Sequence, residues 1–174
     1  MIPNNPRIQK WEKPPCDFIK INVDAAIINN MTGLGVIARD SNGLVLGSIT
    51  DYMENQIEGE CAEAEDLRDG IIWAQDSNVT RAIFETDCTS LVNRIKKHRE
   101  DITIFSNRMK KIANLLDFFT EVKINWIGQM SNRVAICLSK LALNKHCTPS
   151  LDMEYPYDIY ELVMIDSCMK GSGL

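Results

Sequence analysis

Histidine is scarce in this chain: two in 174 residues, His98 in a charged run and His146 near an expected helix end. That argues against a nucleophile activated by a histidine base and places both side chains at the surface. The six cysteines form no Cys-x-x-Cys pair, and only His146–Cys147 sets a histidine beside a thiol. Zinc-ligand spacing is therefore missing, and isolated thiols fit a reducing compartment. No apolar run approaches the roughly 20 residues of a membrane helix. Met1 to Lys10 is polar and proline-bearing, unlike a signal peptide. These absences predict an intracellular chain, cytoplasmic or nuclear, with no membrane segment. Net charge is −5, so there is no general basic surface of the kind that holds nucleic acid. Internal repeats and low-complexity segments are also lacking.

The chain's length suits a single core, and 45% hydrophobic with 25% charged residues is the composition of a soluble globular domain. Residues 1–15 hold three of the six prolines and read as an extended lead-in rather than core. Residues 16–147 read as the domain, and residues 148–174 as a tail that packs in part and frays at its end. Strands are predicted over Phe18–Ile28, Gly33–Asp40, Leu44–Thr50, Arg81–Thr86 and Glu121–Ile127. Asn42-Gly43 marks a hairpin between the second and third, which makes Asp40 a turn residue. Helices are predicted over Gly59–Asp76, Thr89–Arg99 and Phe105–Phe119, with a last one capped by Ser131 or Asn132. Buried stripes fall on Ala64, Leu67, Ile71 and Ala74, on Met109, Ile112, Leu115, Leu116 and Phe119, and on Val134, Leu138 and Leu141. The order βββαβααβα implies an α/β fold, a mixed five-stranded sheet flanked by helices.

Candidate chemistry centres on Lys20-Ile21-Asn22-Val23-Asp24-Ala25-Ala26. Alternation puts Ile19, Ile21 and Val23 on one face and Lys20, Asn22 and Asp24 on the other. Asp24 alone reads as a strand-end residue. Glu63, beside the buried stripe of its helix, leans toward the core edge, whereas Glu65, Arg68 and Asp69 look solvated. Asp87 ends a strand that runs straight into a helix, a recurrent place for chemistry in α/β folds. Carboxylates sharing one crevice raise each other's pKa, and a hard divalent cation relieves them. Two such ions about 4 Å apart suit phosphodiester hydrolysis. Base concentrates in Arg94–Arg99 and Arg108–Lys111. Such runs usually solvate helices, and the alternative is a patch that contacts phosphates.

The ordered set Trp11-Glu12-Lys13-Pro14-Pro15, Lys20–Ala26, Gly33–Asp40 with Gly43, Ala62-Glu63 with Leu67 and Gly70, Glu85-Thr86-Asp87, and Asn132-Arg133-Val134-Ala135 with Leu138 resembles the ribonuclease H-like domains of plant non-LTR retroelements. Pro156, Ile159 and Asp166 extend the match. The resemblance implies metal-dependent endonucleolytic cleavage of the RNA strand of an RNA–DNA hybrid, with Mg²⁺ or Mn²⁺ on Asp24, Glu63 and Asp87. Asp24 would bridge two ions.

A fourth carboxylate of that family is missing. The pattern Asn-x-x-Ala-Asp-x-Leu-Ala reads Asn132-Arg133-Val134-Ala135-Ile136-Cys137-Leu138-Ser139, so Ile136 stands in the aspartate's place and the two-metal site is incomplete. The His-x-x-Arg-Glu segment reads Trp126-Ile127-Gly128-Gln129-Met130. Ala25 replaces a glycine and Asp66 an alanine. The expectation is a weakened hybrid ribonuclease, monomeric, whose substrate leans on Lys96, Lys97, Arg99, Lys110 and Lys111. The alternatives are a catalytically inactive domain that binds nucleic acid or protein, or a retroelement remnant with neither role.

Overall fold

The computed structural model describes residues 10–55, 57–100, 107–145, 150–152 and 157–168. Strand β1 (Ile19–Ile28) lies at its centre. Asn29 and Asn30, both left-handed at φ 49° and 61°, turn the chain into β2 (Met31–Arg39), as a two-residue hairpin requires. The next turn leads to β3 (Val45–Met53). There Gly43 sits at φ 83°, and the Asp40 carboxylate accepts the backbone N–H groups of Asn42 and Leu44 at 2.8 and 2.9 Å. Asp40 is a turn residue, and both pairings are antiparallel.

Helix α1 (Gly59–Asp76) carries the chain over to β4 (Arg81–Thr86), which runs parallel to β1. Helices α2 (Thr89–Glu100) and α3 (Asn107–Leu116) lead to β5 (Glu121–Trp126), parallel to β4. A 3₁₀ turn at Gln129–Ser131 then opens α4 (Arg133–Lys145). The mixed five-stranded sheet has the order β5-β4-β1-β2-β3, and the short strand β6 (Ser150–Asp152) extends it beyond β3. Helix α5 (Tyr157–Cys168) follows.

The tail is thus more structured than its sequence suggested. A three-residue strand has no period to read. In α5 the buried positions Ile159, Val163 and Asp166 end on a carboxylate, while Met164 and Ile165 face solvent and blur the stripe. The expected fraying falls on residues 169–174, and the expected helix start at Phe105 on residues 101–106. Both lie outside the described residues.

One face of the sheet is covered by α1, α2 and α3, where Ile21, Val23, Val36 and Phe84 meet Leu67, Ile71, Leu91 and Ile112. The opposite face meets α4 and α5 through Ile37, Val134, Leu138, Ile159 and Val163. Two glycines set the height of α4. A Cβ on Gly35 would stand 2.5 Å from the Ala135 carbonyl oxygen, and one on Gly33 2.2 Å from that of Ser139. Only bare backbone lets α4 lie this low on β2.

The lead-in is not outside the core. Trp11 is 2% exposed, donates its indole N–H to Asn22 Oδ1 at 3.0 Å, and stacks under the Arg39 guanidinium at 3.7 Å. Arg39, itself 1% exposed, pairs with Asp166 of α5 at 2.8 Å. Lys20 bridges Glu85 and the Glu12 carbonyl. The polar face of β1 is therefore as buried as its apolar face, through a network that clasps both flanking segments. Alternation separates the two faces but does not tell what covers the polar one, because the groups that cover it come from far along the chain.

Candidate metal centre

β1 and β4 are parallel neighbours, with Asn22 opposite Glu85. Two residues further on, Asp87 follows the end of β4, whereas Asp24 is not the strand-end residue it read as: it lies within β1, which continues to Ile28 alongside β2. Helix α1 crosses behind them, its buried stripe packed on Ile21 and Val23. That packing brings Glu63, at the edge of the stripe, up to the two aspartates. One carboxylate oxygen from each of Asp24, Glu63 and Asp87 lies within 4.8 Å of the others. The three residues picked out in the sequence are thus brought together.

Neighbouring groups hold each in place. Glu63 accepts the Ala25 backbone N–H at 3.3 Å and the Thr86 hydroxyl at 3.5 Å. Asp24 Oδ2 accepts the Ser139 hydroxyl at 2.5 Å. The Trp126 indole donates to the Asp87 carbonyl at 3.1 Å, and the Ile127 N–H to the Thr86 carbonyl at 2.9 Å, tying the turn after β4 to the end of β5. Asn132 docks the start of α4 on β1. Its amide donates to the Val23 carbonyl at 2.9 Å, and its Oδ1 accepts the Asn22 amide at 3.2 Å.

The electrostatics are those of crowded, dry acids. Burial is the main force that lifts Glu63 to about 8, and the Asp24 charge adds to it. Burial also lifts Asp24 to about 6, against the Ser139 hydrogen bond, with Asp87 raising it further. Asp87 is pushed up by burial as well. Among the described residues no ion pair reaches any of the three. Three oxygen donors this close, whose charges no side chain neutralises, fit a hard divalent cation.

Two further residues shape the site: Ser139, which nothing in the sequence gave reason to place there, and Asp66, which stood out only as a departure from the family pattern. Ser139, wholly buried on α4, reaches Asp24 across 115 positions of chain. Asp66, one turn past Glu63, is fully buried, and the Asp24 backbone N–H is the one donor turned toward its carboxyl, too poorly aligned to satisfy it. Burial, then the Glu63 and Asp24 charges, push its pKa well up. Ile136 lies half-buried on the first turns of α4 and offers hydrocarbon where a fourth ligand was sought.

The basic residues do not converge on the carboxylates. Lys96 and Lys97 on α2, and Lys110 and Lys111 on α3, are exposed. The Arg99 side chain lies outside the described residues. Nearby, Arg94 pairs with Glu60 at 2.6 Å and Arg108 with Glu65 at 2.8 Å, so α1 neutralises part of each basic run. Glu65, Arg68 and Asp69, expected to be solvated, are half-buried in this same region and linked through Arg68.

A mixed sheet with acids from β1, α1 and the end of β4 is the architecture of the ribonuclease H fold. Ribonuclease H1 of the halophilic archaeon Halobacterium salinarum superposes with a TM-score of 0.65 at 16% identity, covering 74% of this chain and 98% of that one. The N-terminal ribonuclease H domain of a Mycobacterium tuberculosis protein gives 0.61 at 17% identity, covering 75% and 99%. LC11 ribonuclease H1, solved in complex with an RNA/DNA hybrid, gives 0.64 at 19% identity, covering 74% and 98%. At such identities these likenesses show the fold alone. No curated protein matches the chain by sequence. The family model described as reverse transcriptase-like matches residues 22–142, well over half of the chain. The chain belongs to the reverse transcriptase-like family. No helix among the described residues is long and apolar enough to cross a membrane.

Proposed function

We propose that this protein is a metal-dependent endonuclease directed at the RNA strand of RNA–DNA hybrids, of the kind found in plant non-LTR retroelements, and that it works more slowly than a four-carboxylate site. The observation that carries the proposal is the meeting of Asp24, Glu63 and Asp87 within 4.8 Å, where β1 runs on past the end of its parallel neighbour β4. Their raised proton affinities mark them as acids awaiting a cation rather than partners in a salt bridge. Asp24, Glu63 and Asp87 would hold Mg²⁺ or Mn²⁺. Once bound, such an ion supplies Lewis-acid stabilisation of phosphate oxygens and an activated water. Ile136 cannot contribute a ligand, which accounts for the lowered rate. Removing a directly acting group commonly costs on the order of 10²–10⁴. Lys96, Lys97, Arg99, Lys110 and Lys111 would follow the phosphate backbone, a contact that weakens as salt rises.

A second reading, an inactive domain that binds nucleic acid or protein, draws on Ile136 and on the exposed Gln129 and Met130 in place of the family's arginine and glutamate. Cleavage of an end-labelled hybrid in Mg²⁺ and in Mn²⁺, beside Asp24→Asn, separates the two. The proposal expects slow internal cuts in the RNA strand, faster with Mn²⁺ and absent in Asp24→Asn. Uncut hybrid in both metals would reject it, and retained salt-sensitive binding would then favour the second reading.

A further inference from the structure

The cation site proposed above, on which this inference rests, has an unusual wall on the side of α4. Ile136 offers it no ligand atom. Ser139, 0% exposed, donates to Asp24 Oδ2 at 2.5 Å. That hydroxyl has one proton, and the Ile136 carbonyl lies 2.9 Å from the same oxygen. A charge-assisted bond to a carboxylate is the stronger of the two, so the proton goes to Asp24 whenever Asp24 is ionised. Lys140 is the next residue and stands four beyond Ile136, on the same flank of α4. It is exposed, and its positive charge acts on Asp24 in the sense that favours the carboxylate. Asp24 thus meets a proton donor and a cationic side chain from α4, while still offering an oxygen to the group it forms with Glu63 and Asp87.

We propose that the site takes a single divalent cation, held by Asp24, Glu63 and Asp87, because the Ser139 hydroxyl holds the Asp24 oxygen that a second cation would need and Lys140, the next residue, adds positive charge there. Two consequences follow from charge and valence. A dication on the α4 side would be repelled by the Lys140 charge, and it would compete with Ser139 for Asp24 Oδ2. Restoring the missing carboxylate is therefore insufficient. Ile136→Asp alone still binds one ion, whereas Ile136→Asp combined with Ser139→Ala and Lys140→Ala binds two. Neither of the added changes enlarges a side chain, and alanine favours a helix more than serine does.

The test is Mn²⁺ binding by the full chain, counted by isothermal titration calorimetry. Electron paramagnetic resonance supplies a second readout, because two Mn²⁺ ions about 4 Å apart couple magnetically and a lone ion does not. Circular dichroism checks that each variant is folded. One uncoupled ion in the parent and in Ile136→Asp, with two coupled ions in the triple variant, is the expected result. Two ions in the parent or in Ile136→Asp would overturn the proposal. One ion in the triple variant would overturn it too, since Ser139 and Lys140 would then not be what excludes the second. A folded parent that binds none would reject the cation site itself, a failure distinct from the others.

Discussion

The two walls of the crevice differ in what they have kept. On one side β1, α1 and the end of β4 bring three carboxylates within 4.8 Å. On the other, α4 is firmly docked and meets the carboxylates through the Ser139 hydroxyl on Asp24. Asn132 still ties that helix to β1 at 2.9 Å, and Gly33 and Gly35 still let it lie flat on β2. Under the proposed function, a wall can lose ligand chemistry without losing its seat, because different residues carry the two tasks. Docking depends on glycines, an asparagine and an apolar stripe. Coordination, on the proposed reading, would depend on the side chain at position 136, half-buried on the same helix.

The largest effect expected is on the packing behind the site, where α5 meets β2. Asp166→Ala leaves Arg39 buried and unpaired, and should cost about 3–5 kcal/mol in denaturant unfolding. A loss under about 1 kcal/mol would mean that stacking on Trp11 suffices to hold the guanidinium. Next comes the carboxylate wall. Glu63 at about 8 and Asp24 at about 6 bind protons more tightly in the native chain than in the unfolded one. The stability they contribute is full at low pH and is lost as pH rises from the ordinary carboxylate range to about 8. In chelator, Glu63→Gln should flatten this decline, by on the order of a few kcal/mol between its ends. Parallel pH profiles would show that Glu63 is not perturbed.

Asp66→Ala should stabilise the chain by about 1–3 kcal/mol near neutral pH, since it removes a buried carboxyl that no donor satisfies. The gain should shrink in acid, where the neutral carboxyl is no longer costly to maintain. Unfolding at two pH values measures both effects, and a loss of stability would mean that Asp66 has a partner in solution. The smallest effect belongs to the exposed base. Lys96→Ala should leave stability unchanged and lower the salt slope of hybrid binding by about 0.9. An unchanged slope would remove Lys96 from the interface.

The same division explains what could be read in the sequence. The five strands and four of the helices showed as period-2 and period-3.6 patterns with turn residues between them. Asp24, Glu63 and Asp87 showed as acids in the order a known family keeps. What stayed hidden is held by contacts between distant positions: Ser139 with Asp24, Arg39 with Asp166, and Trp11 with Asn22. Serine in a helix and tryptophan in a proline-rich segment have no local pattern that names their partners. Asp66 showed only as a departure from a family pattern, and its burial became visible once α1 was seated on β1.

The most direct test of a cation-dependent carboxylate centre is thermal unfolding with and without Mn²⁺, in the parent and in Asp24→Asn. At about 100 times the dissociation constant, binding to the native state adds ~2.7 kcal/mol, a rise of roughly 5–10 °C for a chain of this size. The account predicts that rise in the parent and its loss in Asp24→Asn. Equal melting temperatures with and without the ion in the parent, or an equal rise in both proteins, would contradict it.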